Sequence, residues 1–115
     1  MKDLKSLITV EEAREMHENW IKSRGAILDK YRGKPDCRDF VFSVADLKKY
    51  LDHISSTSTM ANPGIRIHFG AYGPTLEDEV TVFMCATKGV SGDAETDYDI
   101  QPINKGWQGF PPIDF

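Results

Sequence analysis

The chain has 115 residues, a net charge of −4 and a pI near 5.3, with 40% hydrophobic and 28% charged residues. That composition suits one globular domain and excludes disorder, a disulfide scaffold and the basic footprint of a nucleic-acid binder. A domain of this size buries roughly 65% of its unfolded surface, enough for a core without metals.

The two cysteines, Cys37 and Cys85, are too few for a disulfide framework and form no Cys-x-x-Cys motif. The first residues carry no apolar run of the signal-peptide kind, and no window approaches the roughly 18 apolar residues of a membrane span. The expectation is a cytoplasmic protein with reduced thiols.

Residues 1–8 read as a loose lead-in. Thr9 and Glu12 then form a capping-box pattern, and Glu11 and Glu12 suit the positive end of a helix. Ala13, Met16, Trp20, Ile27 and Tyr31 recur at helical spacing. Gly33 suits the C-cap and Pro35 forbids continuation, so a helix is expected over residues 10–32. Residues 38–42 read as a short strand with Phe40 and Phe42 on one face. Ser43 and Asp46 cap a second helix ending near residue 54 or 55. Its stripe is Val44, Leu47, Leu51 and Ile54, with Tyr50 on the edge. Residues 55–62 read as a polar loop closed by the turn signal Asn62-Pro63-Gly64.

Residues 64–89 carry the clearest β pattern. Ile65, Ile67, Phe69 and Ala71 alternate with Arg66, His68, Gly70 and Tyr72. Val80, Val82, Met84 and Ala86 alternate with Thr81, Phe83, Cys85 and Thr87. A loop at residues 73–78 pairs Tyr72 with Glu79, and then Ile67 with Met84, His68 with Phe83 and Arg66 with Cys85. A two-residue slip preserves the faces, so the faces are better specified than the neighbours. A further short strand is expected around residues 98–101. Residues 102–115 form an irregular apolar tail, because glycine and proline interrupt its large side chains.

The expected fold is α+β: a two-layer sandwich with two helices on one face of a small three- to four-stranded mixed sheet. The first two strands would be parallel through a right-handed crossover. The expected core holds Met16, Trp20, Ile27, Leu47, Leu51, Ile54, Ile67, Phe69, Val82 and Met84. The whole chain, residues 1–115, is read as a single domain.

The other sheet face holds the candidate site. Arg66, His68, Tyr72 and Cys85 would share it, a set able to hold an anion through arginine and move a proton through histidine. The ordinary alternative is a solvated face of an antiparallel sheet. Cys85 beside His68 also suggests a nucleophile and base, but a buried cysteine is more often a small hydrophobe. Phe83, Trp107, Phe110 and Phe115 are read as interface residues. The alternative is that the tail seals its own core. The acidic run Asp93, Glu95, Asp97, Asp99 resembles a calcium loop in spacing. However, Tyr98 stands where an EF-hand needs glycine and Asn104 where it needs glutamate. A solvated loop is the better reading, and no catalytic or metal residue is assigned.

The phrases FSVADLKKYLDHI, GIRIHFGAYG, TVFMCAT and GWQGFPP resemble those of small bacterial proteins of uncharacterised function. The resemblance implies a single compact domain and transfers no site residue. The expected function is a non-enzymatic protein-interaction module, partnered with itself as a homodimer or with another protein. It would use no cofactor, nucleic acid or membrane. The alternative is a small anionic-ligand-binding protein or enzyme centred on Arg66, His68 and Tyr72.

Overall fold

The computed structural model describes residues 4–104 and the backbone of Trp107 and Gln108. The chain divides into two compact units, one carrying the N-terminal segment to Arg38 and the other spanning Asp39–Gln108.

The first unit is helical. Helix α1 covers Val10–Trp20, a π-helical turn follows over Ile21–Gly25, and α2 covers Ala26–Arg32. The capping box forms as the sequence implies: the Glu12 amide donates to Thr9 Oγ1 at 3.0 Å, and the Thr9 amide donates to Glu12 Oε1 at 3.2 Å. The π turn interrupts the single helix expected over residues 10–32. Within it the Ser23 hydroxyl donates to the Asn19 carbonyl at 2.6 Å, one of the side-chain insertions that perturb a helical ladder. Gly33 ends α2 with φ of 70°, a left-handed conformation that glycine adopts without penalty.

Beyond that cap the residues expected to form a plain connector build an ionic cluster. The Asp36 amide donates to Asp29 Oδ1 at 2.7 Å, and Arg38 reaches Asp29 Oδ2 at 3.4 Å. Arg32 and Asp36 pair at 3.4 Å with their side chains only 3% and 5% exposed. Met16 and Ile27, expected in the core, are exposed, whereas Trp20 is half-buried.

The second unit is α+β. Strand β1 is Phe40–Val41, α3 is Val44–Thr57, β2 is Gly64–Ala71, β3 is Val80–Thr87 and β4 is Trp107–Gln108. Ser43 caps α3 by accepting from the Asp46 amide at 2.9 Å. The hairpin has the register read from the alternation: Ile65 opposite Ala86, Ile67 opposite Met84, His68 opposite Phe83 and Phe69 opposite Val82. The Tyr72 amide donates to the Glu79 carbonyl at 2.9 Å and closes the hairpin end.

Three strand expectations change. First, β1 does not run parallel to β2; it pairs antiparallel with β4, Val41 facing Trp107. Two residues are too few for a crossover ladder, and the returning chain satisfies them directly. Second, residues 98–101 are not a strand. The chain touches β3 at isolated bridges, Thr87 with Thr96 and Met84 with Ile103, and turns between them. Third, the sheet is not mixed: both two-stranded pairs are antiparallel.

The core of this unit is Tyr50, Ile54, Met84, Ala86 and Ile100, with Phe42, Leu47, Ile65 and Ile103 packed against it. Helix α3 therefore faces the sheet with Leu47, Tyr50 and Ile54. Leu51, expected in the stripe, is exposed. The rotation follows Tyr50, whose hydroxyl donates to the Gln101 carbonyl at 2.9 Å. Burial raises the Tyr50 pKa above its ordinary value, and the neighbouring Cys85 adds to that. The hydroxyl thus stays a neutral donor.

Candidate functional site

An antiparallel ladder lets backbone groups of alternate residues face the partner strand, and the intervening residues face away. The bond from the Tyr72 amide to Glu79 identifies which set is which. The even-numbered residues of β2 turn toward β3. The N–H and C=O groups of Ile65, Ile67, Phe69 and Ala71 therefore turn outward.

Strand β3 uses its outer groups. Met84 exchanges two bonds with Ile103, both at 2.9 Å, the Asp97 amide donates to Ala86 at 2.9 Å, and the Lys88 amide donates to Glu95 at 2.8 Å. That makes β3 an inner strand, flanked by β2 and by the segment running from Glu95 to Ile103. Strand β2 has β3 alone as its ladder partner among the described residues.

The β2 side chains make this edge unusual. Ile67 is 64% exposed and Phe69 87% exposed, although both were expected in the core. Core packing ends at Ile65, beneath the far end of the strand. Edge strands commonly carry lysine, proline or a bulge that discourages pairing. Residues 64–71 contain neither residue, and their register with β3 is unbroken. A recess of about 370 Å³, lined by Gly64–Ile67, Thr87 and residues 89–92, opens beside the first half of the strand.

The opposite face holds Arg66, His68, Tyr72 and Cys85, as the alternation implied, but they act separately. Both terminal nitrogens of Arg66 donate to backbone carbonyls, Nη1 to Ala94 at 2.8 Å and Nη2 to Gly92 at 2.9 Å. Arg66 therefore ties down the loop after β3. Asp93 in that loop is held below its ordinary carboxylate pKa, first by the Ser91 hydroxyl, then by its own amide, with a smaller contribution from Arg66. The Tyr72 hydroxyl lies 3.4 Å from Thr81 Oγ1 and 3.3 Å from Asn104 Oδ1.

His68 stacks on Phe83, ring centroids 4.8 Å apart and planes 9° from parallel. Both rings and Cys85 line a cleft of about 330 Å³ with Thr96, Tyr98, Ile100, Gln101 and Pro102. Cys85 itself is only 3% exposed. Among the described residues no carboxylate lines this cleft to orient His68 as a general base. Thr96, Tyr98 and residues 100–102, where the sequence implies a short strand over 98–101, instead line this cleft without forming one.

The acidic run is dispersed. Glu95 lies 3.7 Å from Lys88, Asp97 is buried and accepts the Asp99 amide at 3.1 Å, and Ser91 holds Asp93 at 2.8 Å. Among the described residues, no three His, Cys, Asp or Glu side chains gather as a metal site. None of the described helices is long and apolar enough to cross a membrane. Of the expected interface residues, Phe83 lines the cleft; Phe110, Phe115 and the Trp107 side chain lie outside the described residues. Comparison with protein-family models, with curated proteins and with solved structures returns no match.

Proposed function

We propose that this chain is a protein-interaction module that recognises an extended polypeptide by strand addition to β2. The observation that carries the reading is the coincidence on four residues of two properties. Ile65, Ile67, Phe69 and Ala71 turn their backbone hydrogen-bonding groups outward, and the middle two expose large apolar side chains. An added strand would satisfy the backbone groups and cover Ile67 and Phe69 at once. In such recognition the main chain supplies affinity and alternate side chains supply specificity.

The anion-binding alternative is weaker because the Arg66 guanidinium already holds two carbonyls. An enzymatic role has less support still, since no described residue places an orienting acid in the cleft with Cys85 and His68.

The test compares affinity capture by the wild-type chain and by Ile67→Lys/Phe69→Lys, both first shown folded by circular dichroism. Exposed substitutions of this kind cost the fold little, within about 0.5 kcal/mol each. The reading expects a captured protein that the double variant loses. A captured set indifferent to the two lysines would contradict it.

A further inference from the structure

Resting on the strand-addition reading, the geometry points to a second copy of this chain as the partner, joined β2 to β2 antiparallel about a two-fold axis through His68. Such an axis keeps each side chain on its own face, so some residue must face its own copy. The outward set, Ile65, Ile67, Phe69 and Ala71, is symmetric about His68. Centring there pairs Ile65 with Ala71 of the second copy and Ile67 with Phe69, in both directions. Every outward residue then exchanges two backbone hydrogen bonds.

Other centres fit less well. An axis at Ile67 sets Ala71 against Pro63, which has no amide proton. It also pairs Arg66 with His68 of the other copy. An axis at Arg66 sets the two guanidinium-bearing residues against each other, which like charges oppose. With His68 at the centre, Arg66 faces Gly70, which has no side chain to obstruct the guanidinium. On the apolar face, each Phe69 lies beside an Ile67 from the other copy, a favoured aromatic–branched pair. The two exposed residues of one edge are thereby the complement of the same two on its copy.

The register makes a test that surface stickiness alone would not satisfy. His68 faces itself at a non-hydrogen-bonded position, where Cα atoms approach to about 4.5 Å, within the range a disulfide spans. His68→Cys in the full chain, under mild oxidation, is expected to give a covalent dimer that reductant dissolves. Gly70→Cys, which faces Arg66 rather than itself, is expected to give much less. The parent chain, whose Cys37 and Cys85 are buried, is the blank. Sedimentation equilibrium supplies the second arm: wild type shifts toward a dimer with concentration, and Phe69→Arg stays monomeric. A wild-type chain that is monomeric throughout, or equal cross-linking at positions 68 and 70, overturns the inference. A monomer whose heterologous capture still depends on Ile67 and Phe69 leaves strand addition standing and removes only the second copy.

Discussion

Ile67 and Met84 face each other across the hairpin, yet Met84 is 8% exposed and Ile67 64%. The same pleat holds both side chains on one face. Tyr50, Ile54 and Ile100 pack with Met84 in the core, and Ile67 is outside that cluster. This difference separates the part of the sheet that folds the unit from the part left available for recognition.

Met84→Ala should accordingly cost much more stability than Ile67→Ala, although the two residues are paired. A buried methionine truncation costs about 2–5 kcal/mol, whereas an exposed change stays within about 0.5 kcal/mol. Urea unfolding of the two variants checks this. Similar losses would mean that Ile67 is buried in solution.

Tyr50→Phe removes the donor to the Gln101 carbonyl and leaves the ring in place. The expected cost is about 0.5–1.5 kcal/mol, the net worth of one intramolecular hydrogen bond whose acceptor water can reach. Amides that bond the 95–103 segment to β3, Asp97 and Ile103 among them, should lose exchange protection first. Unchanged protection there would show that the hydroxyl does not anchor the segment.

Gly64 faces Thr87, and a Cβ added there would lie 2.5 Å from both the Gly89 carbonyl and the Thr87 hydroxyl. That hydroxyl donates to the same carbonyl at 2.7 Å, so neither atom moves freely. Gly64→Ala should destabilise the unit by about 1–3 kcal/mol, the range for overpacking. Thr87→Ala in the same chain should recover part of it. Chemical denaturation of the single and double variants reads both effects.

Asp78 closes the hairpin loop by accepting from the Thr75 amide at 2.9 Å and the Thr75 hydroxyl at 2.8 Å. These bonds hold its carboxyl below the ordinary value of 3.8, the backbone bond contributing most. A depressed folded pKa means stability that is present above the unfolded value and lost as pH falls through the folded one. The Thr75 amide resonance should therefore titrate below pH 3.8 in the folded chain, and Asp78→Asn should abolish that titration. A midpoint above that value would contradict the loop geometry.

Much of this arrangement was legible in the sequence, and the omissions have physical causes. Thr9 with Glu12 and Ser43 with Asp46 mark the helix starts because capping is local chemistry. The hairpin register follows from a period of two combined with the loop length. Which half of an apolar face is buried depends on what arrives from elsewhere in the chain, and alternation carries no such information. Alternation alone therefore places Ile67 and Phe69 in the core, where the structure leaves them exposed. Among the described residues β2 pairs with β3 alone, and the absence of lysine and proline from residues 65–71 is the sequence signal that this edge is not guarded. The Asp29, Arg32, Asp36, Arg38 cluster was missed because Gly33 and Pro35 read as an ending, and an ending can still fold back on its helix.

Amide hydrogen exchange across β2, followed residue by residue over a dilution series, tests the edge most directly. The account predicts a strict alternation in the dilute chain. Arg66, His68 and Gly70 should be protected by β3, and Ile65, Ile67, Phe69 and Ala71 should exchange as open backbone. Concentration should protect the second set alone. Uniform protection along β2 at every dilution would show that this edge is already paired within the chain, and would contradict the central claim.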